Sequence, residues 1–335
     1  MINKVIKRDG RVVDFDSSKI LAAVEKSMKA AGQAAPQGAA AVTEAVVRYL
    51  EAHYPDTPPK IEEIQDVVEH ELMRMGFDEV FDTSTSADLT VLEESSEFLG
   101  RLETGGKLPL YTSCCPAWIR FAETRHPEIL ENISTCRSPM EMFGSVIKEY
   151  FGNCGKRVVS VAIMPCTAKK FEAMRDEFRD KNGTPYVDYV ITSQEIIQMI
   201  RQSGIRFDEL EPEAVSMPFG MSSGAGLIFG ASGGVTEAVL RRLSDDKSAG
   251  AIRSIANSGV RDIAGLKECS ITHNGEEIKI AIVSGLENTD KLIHRIEEGE
   301  VSYHMVEVMA CPGGCVSGAG QPFAKSGERR QRSES

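Results

Sequence analysis

Short apolar runs alternate with amphipathic stretches through the middle and the end of the chain. Val158 to Ile163 and Ile280 to Val283 are rich in β-branched residues, the pattern of strands buried on both faces of a parallel sheet. Between such runs the apolar positions shift to helical spacing. Phe171 to Phe178 interleaves apolar and charged residues. Ser193 to Arg201 opens on a serine suited to cap a helix and sets Ile196, Ile197 and Ile200 on one side, and Asn288 to Glu298 has the same character. Strands alternating with helices predict an α/β fold, whose ligands gather beyond the carboxyl ends of the strands.

The first part of the chain is patterned differently. Val5 to Phe15 reads as two short strands around Asp9-Gly10, a strong hairpin signal. A helix is predicted from Ser18 to Ala31, with Asp16 or Ser17 as cap and Gly32 as stop. Two more helical faces follow, one of Val42, Val46, Val47 and Leu50, the other of Ile61, Ile64, Val68 and Leu72. The closing segment GERRQRSES is polar throughout and reads as disordered. Three units are therefore expected, at 1–76, 77–322 and 323–335.

Composition narrows the partners. The 335 residues are 41% apolar and 26% charged, as in a globular protein with a sizeable core. Acidic residues outnumber basic ones by 50 to 38, a net charge of −12, which argues against a nucleic-acid or anionic membrane surface. No apolar run approaches the roughly 18–20 residues of a spanning helix, and MINKVIKRDG has no secretory signal pattern. The expected location is the cytoplasm.

Eight cysteines in that compartment are not a disulfide framework. LPLYTSCCPAW, VVSVAIMPC and YHMVEVMAC are each an apolar run that ends in cysteine. Cys311-Pro-Gly-Gly-Cys315 adds a short loop whose two thiols reach one site. Thiolates favour zinc or iron–sulfur clusters, and zinc knuckles more often use a two-residue spacer in pairs. Spacing alone leaves buried structural thiols, an iron–sulfur centre and zinc all open.

Taken as whole motifs, these segments resemble the three signatures of the iron–iron hydrogenase catalytic domain. They are Thr112-Ser113-Cys114-Cys115-Pro116-Ala117-Trp118, Met164-Pro165-Cys166-Thr167-Ala168-Lys169-Lys170-Phe171-Glu172, and the stretch from Glu307 to Pro322 (EVMACPGGCVSGAGQP). FDEVFDTSTSADLTVLEE, GAGLIFGASGGVTEA and VDYVITSQE extend the likeness over about three quarters of the chain. The resemblance implies a two-lobed fold with parallel sheets. It also implies a 4Fe–4S cubane on Cys115, Cys166, Cys311 and Cys315, with Cys315 bridging to a diiron unit that carries CO, CN and azadithiolate. By the same likeness Cys114 passes protons, Lys169 holds a cyanide, and Met164, Met309 and Phe229 pack around the irons. Glu94 and Glu97 match the carboxylates of a proton path, with Ser134 the hydroxyl between them and the cysteine. From the residues alone, LEESSE would be a solvated acidic face. Implied partners are H2, protons, hydrogenase maturation proteins and an external electron carrier such as ferredoxin, since no accessory-cluster cysteine runs are present.

The N-terminal unit resembles the ATP-cone, a regulatory nucleotide-binding module. Lys7, Arg8 and Lys19 stand where that module meets phosphates, and Val5 and Ile6 near the base. The implied ligand is ATP or dATP, sensed rather than hydrolysed because no Walker-type loop is present, with a nucleotide-dependent oligomer as one outcome. A plain basic edge hairpin is the alternative. Two departures from the hydrogenase pattern stand out. No counterpart of the family's early Pro-(Ser/Ala)-Val-Arg loop is found, so one wall of the pocket is expected to be missing, remodelled or supplied by a partner chain. Met140 stands where the family often has glutamine. The sequence thus predicts a minimal hydrogenase catalysing reversible H2 oxidation. The runner-up is a non-catalytic or H2-sensing iron–sulfur protein of the same family, and a zinc protein stands last.

Overall fold

The computed structural model describes residues 4–6, 12–14, 76–203, 216, 218–219, 223–243 and 265–322. Strands β1 (Lys4–Ile6) and β2 (Val12–Asp14) pair antiparallel with Val5 opposite Val13, as the Asp-Gly signal predicts. The helices expected between 18 and 75 lie outside the described residues, together with Lys7, Arg8, Lys19 and the polar tail.

From residue 84 the chain forms α1 (Ser84–Thr104), β3 (Leu110–Tyr111), α2 (Pro116–Arg125) and α3 (Pro139–Tyr150). Then come β4 (Val161–Met164), α4 (Ala168–Glu172), β5 (Tyr189–Thr192) and α5 (Ser193–Gln202). Beyond residue 223 lie α6 (Gly224–Ile228), α7 (Gly234–Leu243), β6 (Leu266–His273), β7 (Glu276–Ser284), α8 (Leu286–Glu297) and β8 (Met305–Met309).

Four strands form one sheet in the order β3-β8-β7-β6. The β3–β8 and β8–β7 pairs are parallel, as expected. The β6–β7 pair is antiparallel, a hairpin turned at Asn274 and Gly275 with φ of 51° and 82°. Asn-Gly is itself a hairpin signal, so this edge strand was legible and was missed. All five residues of β8 are buried, as are Ile280 to Val283 of β7. Around them Phe98, Leu110, Tyr111, Trp118 and Met305 form a continuous core.

The run from Val158 to Ile163 does not become a doubly buried strand. Only Val161–Met164 is extended, in a two-stranded sheet with β5, and Val161 to Ile163 stay half-buried. One partner strand and a small core of Met140, Met164, Ala173 and Val187 cannot cover both faces. The two separate cores correspond to the two lobes expected.

Helix ends also differ from the pattern. The helix expected over 171–178 stops at Glu172. Arg175 turns to extended backbone with its guanidinium held by Glu123 and Glu177, and a 3-10 turn follows at Asp176–Phe178. Thr192, not Ser193, caps α5. Its hydroxyl accepts from Glu195 N at 3.2 Å while its own amide donates to Glu195 Oε2 at 2.7 Å, a closed capping box.

Candidate metal centre

The first cysteine motif leaves β3 and enters α2. Thr112 anchors it to the sheet, its amide donating to Val306 O at 3.1 Å and its hydroxyl accepting from Val308 N at 3.1 Å. Trp118, fully buried, donates Nε1–H to Thr112 O at 3.0 Å. Cys115 is the N-cap of α2, with Pro116 at the first helical position. Its Sγ accepts from Ala310 N at 3.5 Å. Burial pushes the Cys115 thiol up, while the amides of Ala310 and Trp118 and the Lys169 ammonium pull it back. Those same amides favour a thiolate there.

Cys166 follows β4, and Cys311 and Cys315 follow β8. The Cys311–Cys315 loop turns on Gly313 and Gly314, and Gly314 N donates back to Cys311 O at 3.0 Å. At Gly314 φ is +89°, and a Cβ would stand 2.6 Å from Ser232 N, so only glycine fits. Gly320 seals the other side, where a Cβ would come within 2.8 Å of Cys166 N. Cys315 interacts electrostatically with Cys115, Cys166 and Cys311, and burial pushes its thiol up to about 12. The four thiols predicted as one ligand set are thus near enough for Cys315 to feel the charge of the other three. Soft sulfur donors, one buried at Cys115 and three half-buried at Cys166, Cys311 and Cys315, held by tight backbone contacts, have the chemistry that suits an iron–sulfur cluster.

Cys114 is buried beside this set. Burial, then Glu94 and the neighbouring Cys315 and Cys115, hold it well above the usual thiol range. Lys169, also buried, donates to Cys114 O at 3.1 Å and to Glu172 Oε2 at 2.7 Å. Burial alone would lower its pKa, but Glu172 and the nearby thiols outweigh that and keep it raised. Met164, Met309 and Phe229 are all buried, Met164 in the small core and the other two in the large one. Met140 lies in the small core with Met164.

Glu94 is not on a solvated face. It is fully buried on α1, where Oε1 accepts from Ser113 N at 3.4 Å and Oε2 has no hydrogen-bond partner among the described residues. Burial raises its pKa to about 8, with Glu307 and Glu97 adding to the rise. One turn on, Glu97 pairs with Arg101 at 2.6 Å through Oε1. Its Oε2 accepts from Ser134 Oγ at 2.8 Å and Thr135 N at 2.9 Å. Ser134, the hydroxyl expected between the carboxylates and Cys114, donates to Glu97 and lies near enough to Glu94 to pull its pKa back. A pocket of about 300 Å³ is lined by Ser134, Cys136, Arg137, Ser138 and Glu172.

Sequence reasoning missed three buried carboxyls here. Glu307, inside the third motif, caps α7 by accepting from Gly233 N at 2.6 Å and Thr236 N at 2.7 Å. Glu172 ends the second motif. Glu141 follows Met140, and its only signal was the spacing Ser138-x-x-Glu141.

The family described as iron only hydrogenase large subunit, C-terminal domain, matches residues 40–319, beginning inside the segment that resembles an ATP-cone. Iron hydrogenase 1 of Clostridium pasteurianum is 42% identical over 255 residues, covering 75% of this chain and 44% of that protein. A probable cytosolic Fe-S cluster assembly factor of Aedes aegypti is 33% identical over 275 residues, covering 76% of this chain and 56% of its own. Among solved structures, an apo FeFe-hydrogenase HydA1 variant from Chlamydomonas reinhardtii superposes with a TM-score of 0.67. That match has 34% identity and covers 80% of this chain and 76% of the other. The chain spans less than half the length of the first of these relatives. No described helix is long and apolar enough to cross a membrane.

Proposed function

This chain belongs to the iron-only hydrogenase large-subunit family, and on that premise we propose that it is a hydrogenase interconverting H2 with protons and electrons. The observation that carries the reading is that buried Cys114, Glu94 and Ser134 and half-buried Glu97 lie close together, from beside the thiol set toward Arg101. Cys115, Cys166, Cys311 and Cys315 would hold a 4Fe–4S cubane, with Cys315 also joining a diiron unit bearing CO, CN and azadithiolate. When bound, that group supplies the electron exchange and the H2 chemistry.

The chain's own residues handle the proton. Cys114 remains a thiol and keeps one proton at Sγ, at the inner end of the series. Glu94 titrates at about 8, close to ambient pH, where a carboxyl takes up and releases a proton with least penalty either way. Ser134 receives at Oγ and donates to Glu97 Oε2, whose other oxygen is tethered by Arg101. Lys169 presents a fixed cation to a ligand of negative charge. Met164, Met309 and Phe229 exclude water.

In this reading electrons arrive from an external carrier such as ferredoxin, and maturation proteins deliver the diiron unit. Residues 1–76 act as a nucleotide sensor, with Lys7, Arg8 and Lys19 on the phosphates and Val5 and Ile6 near the base of ATP or dATP. The assembly-factor relatives favour a second reading, an iron–sulfur protein that holds a cubane without H2 turnover. Anaerobic reconstitution separates the two. About four irons should bind first, and H2 evolution should appear only after the diiron unit is supplied. Confirmed loading with no H2 from a strong reductant rejects the enzyme. Cys114→Ala should remove most turnover and leave the cubane spectrum intact.

A further inference from the structure

Ser138-Pro139-Met140-Glu141 spells a capping box at the start of α3. Half of it forms, with Ser138 Oγ accepting from Glu141 N at 3.5 Å. The same spacing at Thr192 and Glu195 closes fully. Glu141 does not reach back. Its carboxyl is fully buried and, among the described residues, neither oxygen has a hydrogen-bond partner. An unpaired buried carboxyl is unfavourable and is the kind of group that awaits a role.

The charged groups facing it are Glu172 and Lys169 on α4 and Arg137 ahead of α3. Arg137 is engaged over the Tyr186 ring at 4.6 Å. Glu141, Glu172 and Lys169 are 0%, 3% and 7% exposed, so solvent barely screens their interactions. Lys169 and Glu172 form an ion pair at 2.7 Å. With Glu141 neutral, the three sum to zero. Once Glu141 ionises, they carry one negative charge beside the lysine that would hold an anion.

We propose that Glu141 is a positioning residue acting through Lys169: as a neutral acid it permits the anionic diiron unit to bind, and on losing its proton it weakens that binding. This rests on the hydrogenase reading and assigns to it a pH ceiling. Burial, then repulsion from Glu172, raises Glu141 to about 8 against the pull of Lys169 and Arg137. The ceiling therefore falls just above neutrality.

The test uses the full cubane-loaded chain and the synthetic diiron unit alone, offered from about pH 6 to about pH 10. Occupancy is read by iron count, and the environment by the infrared CN stretching bands. With the diiron unit offered well below half-saturation, wild-type occupancy should fall about tenfold across the range, the change in affinity equivalent to one pKa unit of coupling. Glu141→Gln keeps the shape without the titration, so its occupancy should stay flat and its CN bands should lose their pH-dependent shift. Equal uptake curves for wild type and Glu141→Gln, or a flat curve for wild type, overturn this inference and leave the hydrogenase reading standing. No uptake by wild type at any pH, with the cubane intact, overturns the hydrogenase reading itself and this inference with it.

Discussion

Ser134 Oγ donates to Glu97 Oε2 at 2.8 Å while accepting from Cys136 N at 3.1 Å. The serine comes from the loop after α2 and the glutamate from α1. Glu94 and Glu97 lie one helical turn apart, so neighbouring turns of one helix set two carboxyls of the series and a distant loop supplies the hydroxyl near them.

Removing that hydroxyl should stop the transfer without disturbing the metal. Ser134→Ala is expected to lower H2 turnover of the loaded protein about 10²-fold, the scale of a lost proton-transfer group. Ser134→Thr should recover part of the rate. Iron content and the cubane spectrum should not change. Wild-type rates in Ser134→Ala would mean that protons leave by another route.

Glu94 ties stability to pH. Its carboxyl moves from an ordinary 4.5 to about 8 on folding because burial penalises its charge. Between those values the folded chain holds a proton that the unfolded chain has released. Stability therefore declines as pH rises through this window, by up to ~1.4 kcal/mol per pH unit, and levels off above it. Glu94→Gln should remove this group's share of the decline in denaturant unfolding of the metal-free protein, leaving that of Glu141, whose carboxyl burial also raises to about 8. An unchanged slope would place the Glu94 titration elsewhere.

Trp118 anchors the first cysteine motif twice, by its buried ring and by its bond to Thr112 O. Trp118→Ala should cost about 3–5 kcal/mol in denaturant unfolding. Trp118→Phe keeps most of the volume but strands the carbonyl, and should cost about 1–3 kcal/mol. Equal losses would assign the whole effect to one of the two contributions.

The N-terminal sensor is tested by calorimetry on the intact chain. ATP or dATP should bind with micromolar to millimolar affinity, and Lys7→Ala or Lys19→Ala should weaken it. No binding heat from the intact protein removes the sensor from the functional reading.

Much of the fold was legible because its signals are local. Residues Ile280 to Val283 announced β7 by composition, and Asp9-Gly10 announced the β1–β2 pairing by turn chemistry. The run from Val158 to Ile163 misled because burial depends on how many strands and helices arrive to cover it, and only β5 and a small core do so.

The amino-acid order determined the three cysteine motifs, the parallel α/β plan and the spacing of Glu94 and Glu97, since each is written in short stretches of chain. How close Cys115, Cys166, Cys311 and Cys315 come to one another was decided only by packing, through contacts such as Gly320 against Cys166 and Gly314 against Ser232. Packing also turned Glu94 of LEESSE inward and left Glu141 without a hydrogen-bond partner among the described residues, near Lys169 and Glu172. Exposure and electrostatic environment come from residues far away along the chain, so no local pattern encodes them.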